Sequence, residues 1–462
     1  MKNKVIIVEP RGGRANVFSD YLNLPLMGTL YLGTILKQAG YDVRILNENF
    51  LGRDVALSDL DADYLLLSLI TPTAERGYDI AGTFRKLNPR ATTVIGGIHP
   101  SFLPEEAASY ADYVVTGEGE DVIVDLLKYG SDEKIIAGSR IKDLDRVPIP
   151  DFSLLANRER LRITPTMTSR GCPFDCNFCA VTEMFGRGYR MHSLDRVIEE
   201  LGRIRTRQVF IYDDNFAANP KRTHELLDRM IERSFPFKWS TQVRADVARD
   251  RELISKMQRA GCNRVYIGFE SINPATLEHL KKNQSPEDAR EAIRIFHKNN
   301  IRIHGMFMFG SDEDHESVFH QTSSFCRKHH LSSVQFLILT PAPGTAFFQR
   351  MEREGRLLHR MWQYYDGMHT VFRPLNFSPL ALQEGALRAF QDFYSYLGIM
   401  NDAINIFFET SRSLVTSFIS GIRIPSLQNS LIKLQAKAII RRWKGMNQDY
   451  LLYLRRMRRT GA

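Results

Sequence analysis

The sequence lacks several features that mark specialised protein classes. No apolar stretch is long enough to span a bilayer. Residues 1–4 lead directly into a strand-like segment, without the long apolar region and small-residue cleavage site of a signal peptide. There is no repeat of fixed period and no low-complexity segment. With 43% hydrophobic and 25% charged residues, the chain is predicted to be a soluble, globular, cytoplasmic protein.

Cysteine is also scarce, with five residues in 462. An odd number of cysteines in a cytoplasmic chain argues against a disulfide framework. Cys262 and Cys326 are isolated and are predicted to be small buried residues. The other three lie within eight residues, from Cys172 to Cys179, and no cysteine precedes them. This crowding predicts that the three thiolates ligate one metal site.

Acidic residues are few at the carboxyl end of the chain. Residues 401–462 contain eleven Lys or Arg but three Asp or Glu, so they carry most of the net charge of +9. The body of the protein is therefore nearly neutral, and its basic character is concentrated in the tail.

The length of the chain predicts two or three domains. Up to residue 129, short apolar runs alternate with amphipathic segments such as Gly28–Ala39 and Ala74–Leu87. Such alternation predicts a Rossmann-like parallel sheet with helices on both faces. The predicted strands are Lys4–Val8, Val43–Leu46, Tyr64–Leu69, Thr93–Gly97 and Tyr113–Val115.

A second alternating series begins near Arg162. One of its helices has a clear start, with a serine cap at Ser285, Pro286 at the first position and acids in the first turn. Six strand–helix units predict a partial (β/α)6 barrel, in which ligands bind at the carboxyl ends of the strands. The predicted strands are Ile163–Thr168, Gln208–Asp213, Lys238–Val243, Arg264–Phe269, Ile303–Phe309 and Val334–Leu339.

The domain boundaries follow from these patterns. Residues 1–142 are predicted to form the first domain, and residues 143–160, which contain two prolines, an inter-domain linker. Residues 161–350 are predicted to form the partial barrel. Beyond them the strand signal fades, so residues 351–462 are predicted to be a helical region with a basic tail.

The cysteine cluster has the sequence Ser169-Arg-Gly-Cys172-Pro-Phe-Asp-Cys176-Asn-Phe-Cys179 and follows the first strand of the second series. Structural zinc and ordinary iron–sulfur clusters take four protein ligands. No fourth cysteine or histidine lies within the usual spacing, since His192 is thirteen residues further on. Three thiolates would leave one metal position open, which is a mark of catalysis. A zinc site completed by Cys262 or a histidine is the alternative.

This C-x3-C-x2-C loop resembles that of the radical S-adenosylmethionine superfamily. The resemblance implies that Cys172, Cys176 and Cys179 hold a [4Fe–4S] cluster whose fourth iron binds S-adenosylmethionine. One electron from the cluster would then generate a 5′-deoxyadenosyl radical. The resemblance extends over nearly the whole chain up to about Asn376.

Further strand ends match the same superfamily. The resemblance implies that Asp213 and Asp214 lie near the amino group of S-adenosylmethionine, and that Arg244 pairs with its carboxylate. Glu270 and Ser271 would lie near the ribose. Residues 339–345 would lie near the adenine. Each residue alone is more often a solvated or salt-bridged group than a ligand contact.

The first domain resembles the cobalamin-binding domain that precedes the radical module in many relatives. The resemblance rests on residues 24–28 and on polar or glycine residues that follow the strands. It implies that cobalamin contacts Ser68, Gly96, Gly97, Gly117 and Glu118.

The loop after the first strand departs from the family pattern. Many cobalamin domains carry a histidine for cobalt there, but residues 10–16 contain none, and His99 is the first histidine in the chain. Cobalamin would therefore bind without a histidine ligand. The alternative is a domain that has kept only the fold.

The resemblance implies an enzyme that transfers a methyl group to an unactivated carbon of a small or lipid-like substrate. In that scheme one S-adenosylmethionine supplies the methyl group through cobalamin, and a second supplies the radical. Anaerobic oxidation or cyclisation of a porphyrin-like or lipid substrate is the first alternative. A methylthiotransferase is the second, although those enzymes have three further cysteines in the first domain. A metal-containing interaction module is the non-enzymatic alternative.

The expected partners follow from this hypothesis. A flavodoxin or ferredoxin would deliver the electron. Apolar patches at residues 404–408, 414–419, 438–440 and 451–454, interleaved with basic residues, suit peripheral contact with the inner face of the membrane. A helical cap with a solvated basic face is the alternative. Basic charge confined to a tail is weak support for nucleic-acid binding.

Overall fold

The structure, a computed structural model, describes residues 3–13, 24–395 and 425–460. Two six-stranded parallel sheets follow one another along the chain, with helices between their strands, and further helices complete the carboxyl-terminal part. The predicted fold class is therefore confirmed. No helix in the described ranges is long and apolar enough to cross a bilayer.

The first sheet has the strand order β2-β1-β3-β4-β5-β6. Strand β1, second in this order, pairs Val5–Val8 with Val43–Leu46 on one side and with Tyr64–Leu67 on the other. The elements of this domain are β1 (Lys4–Glu9), α1 (Met27–Gln38), β2 (Asp42–Asn47), α2 (Glu48–Leu51), β3 (Tyr64–Ser68), α3 (Ala74–Leu87), β4 (Thr92–Gly96), α4 (Ile98–Phe102), α5 (Pro104–Ala108), β5 (Tyr113–Thr116), α6 (Ile123–Tyr129) and β6 (Ile135–Ala137).

Both faces of this sheet are buried. Successive strand residues point to opposite faces, so Ile6 and Val8 belong to one hydrophobic cluster, whereas Val5 and Ile7 belong to the other. The near-continuous apolar strands of the sequence are thus explained by two helical layers.

The second sheet has the order β14-β13-β12-β11-β10-β7, all parallel, and within the described residues its end strands do not pair with each other. It is therefore an open arc of six strands. The elements are β7 (Ile163–Thr166), β8 (Ser169–Arg170), α7 (Ala180–Phe185), β9 (Arg190–Met191), α8 (Leu194–Arg203), β10 (Gln208–Ile211), α9 (Pro220–Arg233), β11 (Lys238–Val243), α10 (Arg251–Arg259), β12 (Cys262–Glu270), α11 (Pro274–His279), α12 (Pro286–Lys298), β13 (Arg302–Phe309), α13 (Ser317–Lys328) and β14 (Ser333–Ile338).

The start of α12 is as predicted. Ser285 accepts a hydrogen bond from the backbone N–H of Asp288, and the Asp288 carboxylate accepts one from the N–H of Ser285, at 3.1 and 2.9 Å. This reciprocal capping satisfies two backbone donors that would otherwise lack a partner.

The segment between the sheets packs along the first one. The Ala156 N–H donates to the carbonyl of Ile45, and the Asp151 N–H donates to the Thr34 hydroxyl, both at 2.9 Å. Leu154 and other apolar residues of this connector are buried against the same sheet.

The carboxyl-terminal helices cover the second sheet. They are α14 (Ala346–Arg353), α15 (Pro379–Phe393), α16 (Pro425–Met446) and α17 (Gln448–Thr460). Ile440 and Trp443 join the core of the second sheet, while Leu451 and Leu454 pack with Leu380. The patches at 438–440 and 451–454 therefore contribute to packing within the protein, and those at 404–408 and 414–419 lie outside the described residues.

Candidate cofactor site

The carboxyl ends of the two sheets face each other. Tyr212, which follows β10, packs against the hydrophobic cluster of the first sheet. Gly344, which follows β14, lies so close to Phe102 of α4 that a Cβ there would come within 2.2 Å of the ring. The loops that carry the predicted cofactor residues of both domains therefore meet at one interface.

The cysteine loop begins with a sharp turn at Gly171. This residue has φ +87°, and a Cβ would lie 2.5 Å from the carbonyl oxygen of Gly188. Only glycine fits such a position. The Gly171 N–H donates to Asp214 at 3.1 Å, and the Cys179 N–H donates to the carbonyl of Cys176. Cys179 then caps α7, so the loop is tied at its start and at its end.

Neighbouring elements hold the middle of the loop. Asn177 donates its side-chain amide to the carbonyl of His279 at 2.7 Å and accepts the Phe347 N–H on its carbonyl at 3.1 Å. The three thiols are free and only partly buried, unlike those of Cys262 and Cys326, which are buried in the hydrophobic core as predicted.

Burial raises the pKa of all three loop thiols, that of Cys179 to about 12. The charges of Arg244 and Lys282 oppose this effect at Cys172 and Cys176. Two cations next to sulfur favour the thiolate form, which is the form that ligates metals.

The donor set fits an iron–sulfur cluster. Three thiols on one loop, beside two cations that would offset the charge of the thiolates, supply three of the four ligands of a [4Fe–4S] cluster and leave one iron open. In the part of the chain that the structure describes, no three His, Cys, Asp or Glu side chains converge on a point as ligands of a single metal ion.

Arg244 lies directly against the cysteine loop. Its guanidinium stacks over the ring of Phe174, at 3.7 Å from the centroid. Nη2 donates to the carbonyls of Lys282 and Asn283, and Nε faces Asp246 at 3.3 Å. Within the described residues Nη1 makes no hydrogen bond to protein. Nη1 of the guanidinium is therefore available to bind a ligand.

Glu270 ends β12 in a strained conformation, with φ +62°. Its carboxylate accepts a hydrogen bond from Lys282 Nζ at 2.7 Å, and both side chains are about nine-tenths buried. Ser271 is buried next to it and accepts the N–H of Asn273. Lys282 cannot be predicted as a site residue from the sequence, because it lies in a polar loop without any motif.

The two aspartates after β10 differ. Asp213 is fully buried and accepts hydrogen bonds from the N–H and hydroxyl groups of both Thr168 and Ser169. It ties β10 to the strand end that leads into the cysteine loop. Burial raises the pKa of Asp214 to about 6, and the charge of this carboxylate acts on Cys172 and Cys179. Of the two, Asp214 is the one that faces the loop.

Small residues line the carboxyl edge of the first sheet. Ser68, Gly96, Gly97 and Gly117 are partly exposed. Gly97 has φ +106° and Gly117 φ +74°, and a Cβ on either would approach a carbonyl oxygen of the protein within 3 Å. The protein's own backbone therefore requires these glycines. The resulting edge has few protruding side chains, which fits the approach of a broad, flat ligand such as a corrin ring.

Glu118 is placed differently from these glycines. It is buried, and its carboxylate binds Arg170 and Arg190 of the second domain. The nearby acid Glu9, at the end of β1, is also buried, and burial raises its pKa to about 7. It accepts from Thr29, Asn47 and the Leu26 N–H, so it anchors the start of α1. The sequence pattern does not predict this role of Glu9, because the residue ends an apolar strand without a motif.

His99 is fully buried in the first domain and lies 3.2 Å from Glu106, whose carboxylate also accepts from Trp362. This environment agrees with a packing role.

Comparison with protein families gives two matches. The family model of the Radical SAM superfamily matches residues 166–321. The model of the B12 binding domain matches residues 13–127. Together they include strands β2 to β5 of the first sheet, and the cysteine loop with strands β10 to β13 of the second.

Two relatives illustrate the similarity. The chain is 28% identical over 416 residues to the bacteriochlorophyllide d C-12(1)-methyltransferase of Chlorobaculum tepidum, covering 86% of this chain and 89% of that protein. It is 24% identical over 436 residues to the anaerobic magnesium-protoporphyrin IX monomethyl ester cyclase of Cereibacter sphaeroides, covering 85% and 70%.

Among solved structures, the fold is similar to that of the cobalamin-dependent S-adenosylmethionine radical enzyme OxsB, solved with aqua-cobalamin and S-adenosylmethionine bound. The TM-score is 0.65 at 15% identity, covering 100% of this chain and 81% of that one.

Proposed function

The chain belongs to the radical S-adenosylmethionine enzymes that carry a cobalamin-binding domain, and from this premise we propose that it transfers a methyl group to an unactivated carbon. The observation that carries the proposal is the interface at which Arg170, two residues before Cys172, binds Glu118 at the carboxyl edge of the first sheet. A radical source and a methyl carrier held at one domain interface suit this reaction.

The cofactors of such an enzyme are a [4Fe–4S] cluster, S-adenosylmethionine and cobalamin. When bound, the cluster supplies the electron that cleaves S-adenosylmethionine to a 5′-deoxyadenosyl radical, and cobalamin supplies the methyl-transfer chemistry. Cys172, Cys176 and Cys179 would hold the cluster. The edge formed by Ser68, Gly96, Gly97 and Gly117 would receive cobalamin.

The charged groups around the cysteine loop would bind and orient S-adenosylmethionine. Arg244 would offer Nη1 to the carboxylate, a charge-assisted contact that arginine geometry favours. Asp214 would face the amino group, and Glu270 with Ser271 would define the ribose side. Lys282 keeps Glu270 in place, and Asp213 positions the strand end. These two are positioning residues in this scheme.

Product analysis tests the reaction class. With substrate and reductant, the reconstituted enzyme is expected to form S-adenosylhomocysteine and 5′-deoxyadenosine in roughly equal amounts, because one methyl donation accompanies one hydrogen abstraction. Label from the S-adenosylmethionine methyl group should appear in the product. Protein isolated by gel filtration should retain cobalamin, with a spectrum that lacks histidine coordination.

The first alternative is anaerobic oxidation or cyclisation, which the similarity to the cyclase of Cereibacter sphaeroides favours. Such an enzyme would accumulate 5′-deoxyadenosine with little S-adenosylhomocysteine, and no label would reach the product. That outcome would replace the methyl-transfer proposal.

The substrate is proposed to be a small or lipid-like molecule, and the electron donor a flavodoxin or ferredoxin. The tail supports contact with an anionic membrane. Seven of its basic residues are exposed on the described helices: Arg441, Arg442, Lys444, Arg455, Arg456, Arg458 and Arg459. Ile440, Trp443, Leu451 and Leu454 of the same helices pack within the protein, so the contact would be mainly electrostatic.

Vesicle binding tests this contact. The double variant Arg458→Gln, Arg459→Gln is expected to bind anionic vesicles roughly 30-fold more weakly at low salt, since each basic residue near the surface contributes about 1 kcal/mol. Cosedimentation measures the change, and added salt should weaken binding of the native protein. The matched control is Arg205→Gln, Arg207→Gln, exposed cations on the second domain. If native protein ignores anionic vesicles at low salt, the membrane hypothesis is wrong.

A further inference from the structure

A short hairpin, formed by Ser169–Arg170 and Arg190–Met191 and here called the neck, closes the base of the cysteine loop. Strands β8 and β9 pair antiparallel, with Arg170 directly opposite Arg190 and Ser169 opposite Met191. All three cysteines lie in the loop between these two strands. Arg170 is two residues from Cys172, so any displacement of the neck is transmitted to the first cluster ligand.

Two arginines in direct register repel each other and would open the hairpin. Glu118 of the first domain prevents this. Its Oε2 lies 2.8 Å from Arg190 Nη1 and 3.4 Å from Arg170 Nη1, and its Oε1 accepts from Arg190 Nη2. Glu120 balances the second positive charge, since its Oε1 lies 2.6 Å from Arg170 Nη2.

This ionic cluster is shielded from solvent. The exposed fractions of the side chains are 5% for Arg170, 3% for Glu118, 7% for Glu120 and 13% for Arg190. Backbone groups add two hydrogen bonds to it, since the Ile141 N–H donates to Glu118 and the Ile141 carbonyl accepts from Arg190. Charges held at this burial act strongly on one another and are little screened by salt.

Glu118 also belongs to the edge of the first sheet. It stands between Gly117, whose φ is +74°, and Gly119, in the loop that follows β5. We propose that Glu118 is a positioning residue that fixes the neck of the cysteine loop to this edge, so that cobalamin bound there and the cluster stabilise each other. The proposal rests on the proposed function for the cobalamin site.

The pKa of Glu118 indicates that its carboxylate is ionised. Burial alone would raise it, but the hydrogen bonds from Arg190 and Ile141 and the charge of Arg170 hold it below its usual value. The carboxylate is therefore charged at neutral pH and matches the two guanidinium groups.

The test measures the rate at which reconstituted protein loses cluster iron to a chelator without oxygen, with and without hydroxocobalamin. Cobalamin should slow iron release at least about fivefold in the native protein, the low end of couplings between distinct sites. In Glu118→Gln, release should be faster and cobalamin should no longer slow it. Asp121→Asn, an exposed acid three residues on, is the control and should behave like the native protein.

Thermal unfolding of the same variants measures their general stability. A residue with a merely structural role would lower the unfolding temperature without changing how much cobalamin slows iron release. Glu118→Asp, which keeps the charge, should recover part of the slowing of iron release by cobalamin. If Glu118→Gln does not fold, the comparison of Glu118→Asp with the native protein is the test. Equal cobalamin-dependent slowing in Glu118→Gln and native protein would overturn the inference.

A native protein that retains no cobalamin would refute the cobalamin part of the proposed function instead. In that case iron release in cobalamin-free Glu118→Gln still decides the positioning role. Faster release than in the native protein supports the role, and an unchanged rate overturns it.

Discussion

Replacing Cys172, Cys176 and Cys179 together by Ala is expected to abolish the iron–sulfur cluster. After anaerobic reconstitution, native protein should contain about four iron and four sulfide per chain, and the triple variant essentially none. The reason is that the three thiols of this loop are the only free cysteines of the described chain that are not buried in the core. Iron and sulfide analysis, together with the visible charge-transfer absorption, measures the loss.

Cys262→Ala and Cys326→Ala are the matched controls. Cys262 lies in β12 with its thiol near the carbonyl of Arg264, and Cys326 is fully buried in α13. Neither side chain has access to the loop, so both variants should retain a full cluster. Stoichiometric zinc in the native protein, without a charge-transfer band, would contradict the assignment and favour the metal-containing interaction module.

Local pattern predicts the two sheets well, because buried parallel strands are apolar throughout and alternate with amphipathic helices. The same local pattern does not predict short or interrupted elements. The hairpin β8–β9 has two residues in each strand and shows no periodicity, and β6 is a three-residue edge strand. The first strand of the second series was predicted to reach Thr168 but ends at Thr166. The N–H of Thr168 donates to Asp213 instead of extending the strand.

The cofactor site is predictable only in part for a different reason. The spacing of Cys172, Cys176 and Cys179 is a local property of the sequence, and the structure places all three on one loop. The partners of Glu118 and Glu270 are not local. Glu118 meets arginines 52 and 72 residues further on, and Lys282 reaches Glu270 from a loop without a motif. Tertiary packing decides these contacts, so a residue at a strand end can bind protein as readily as ligand.

Arg244→Ala is expected to weaken S-adenosylmethionine binding by roughly tenfold to a hundredfold, since hydrogen bonds to charged groups contribute about 1.5–3 kcal/mol. Three effects combine. The proposed contact of Nη1 with the carboxylate is lost, and the carbonyls of Lys282 and Asn283 lose their donor. Phe174 also loses the cation stacked on its ring. Equilibrium dialysis of labelled S-adenosylmethionine against reconstituted protein measures the affinity.

Two further variants separate charge from geometry. Arg244→Lys keeps the charge but cannot reproduce the planar guanidinium that bonds two carbonyls, faces Asp246 and stacks on Phe174 at once. It should therefore recover little of the affinity. Arg249→Ala, which removes an exposed arginine paired with Asp288 on the adjoining segment, should bind S-adenosylmethionine like the native protein. Iron content is measured in parallel, because Arg244 should affect the ligand more than the cluster. If Arg244→Ala binds S-adenosylmethionine normally, the guanidinium serves only to hold the cysteine loop, and another group must bind the carboxylate.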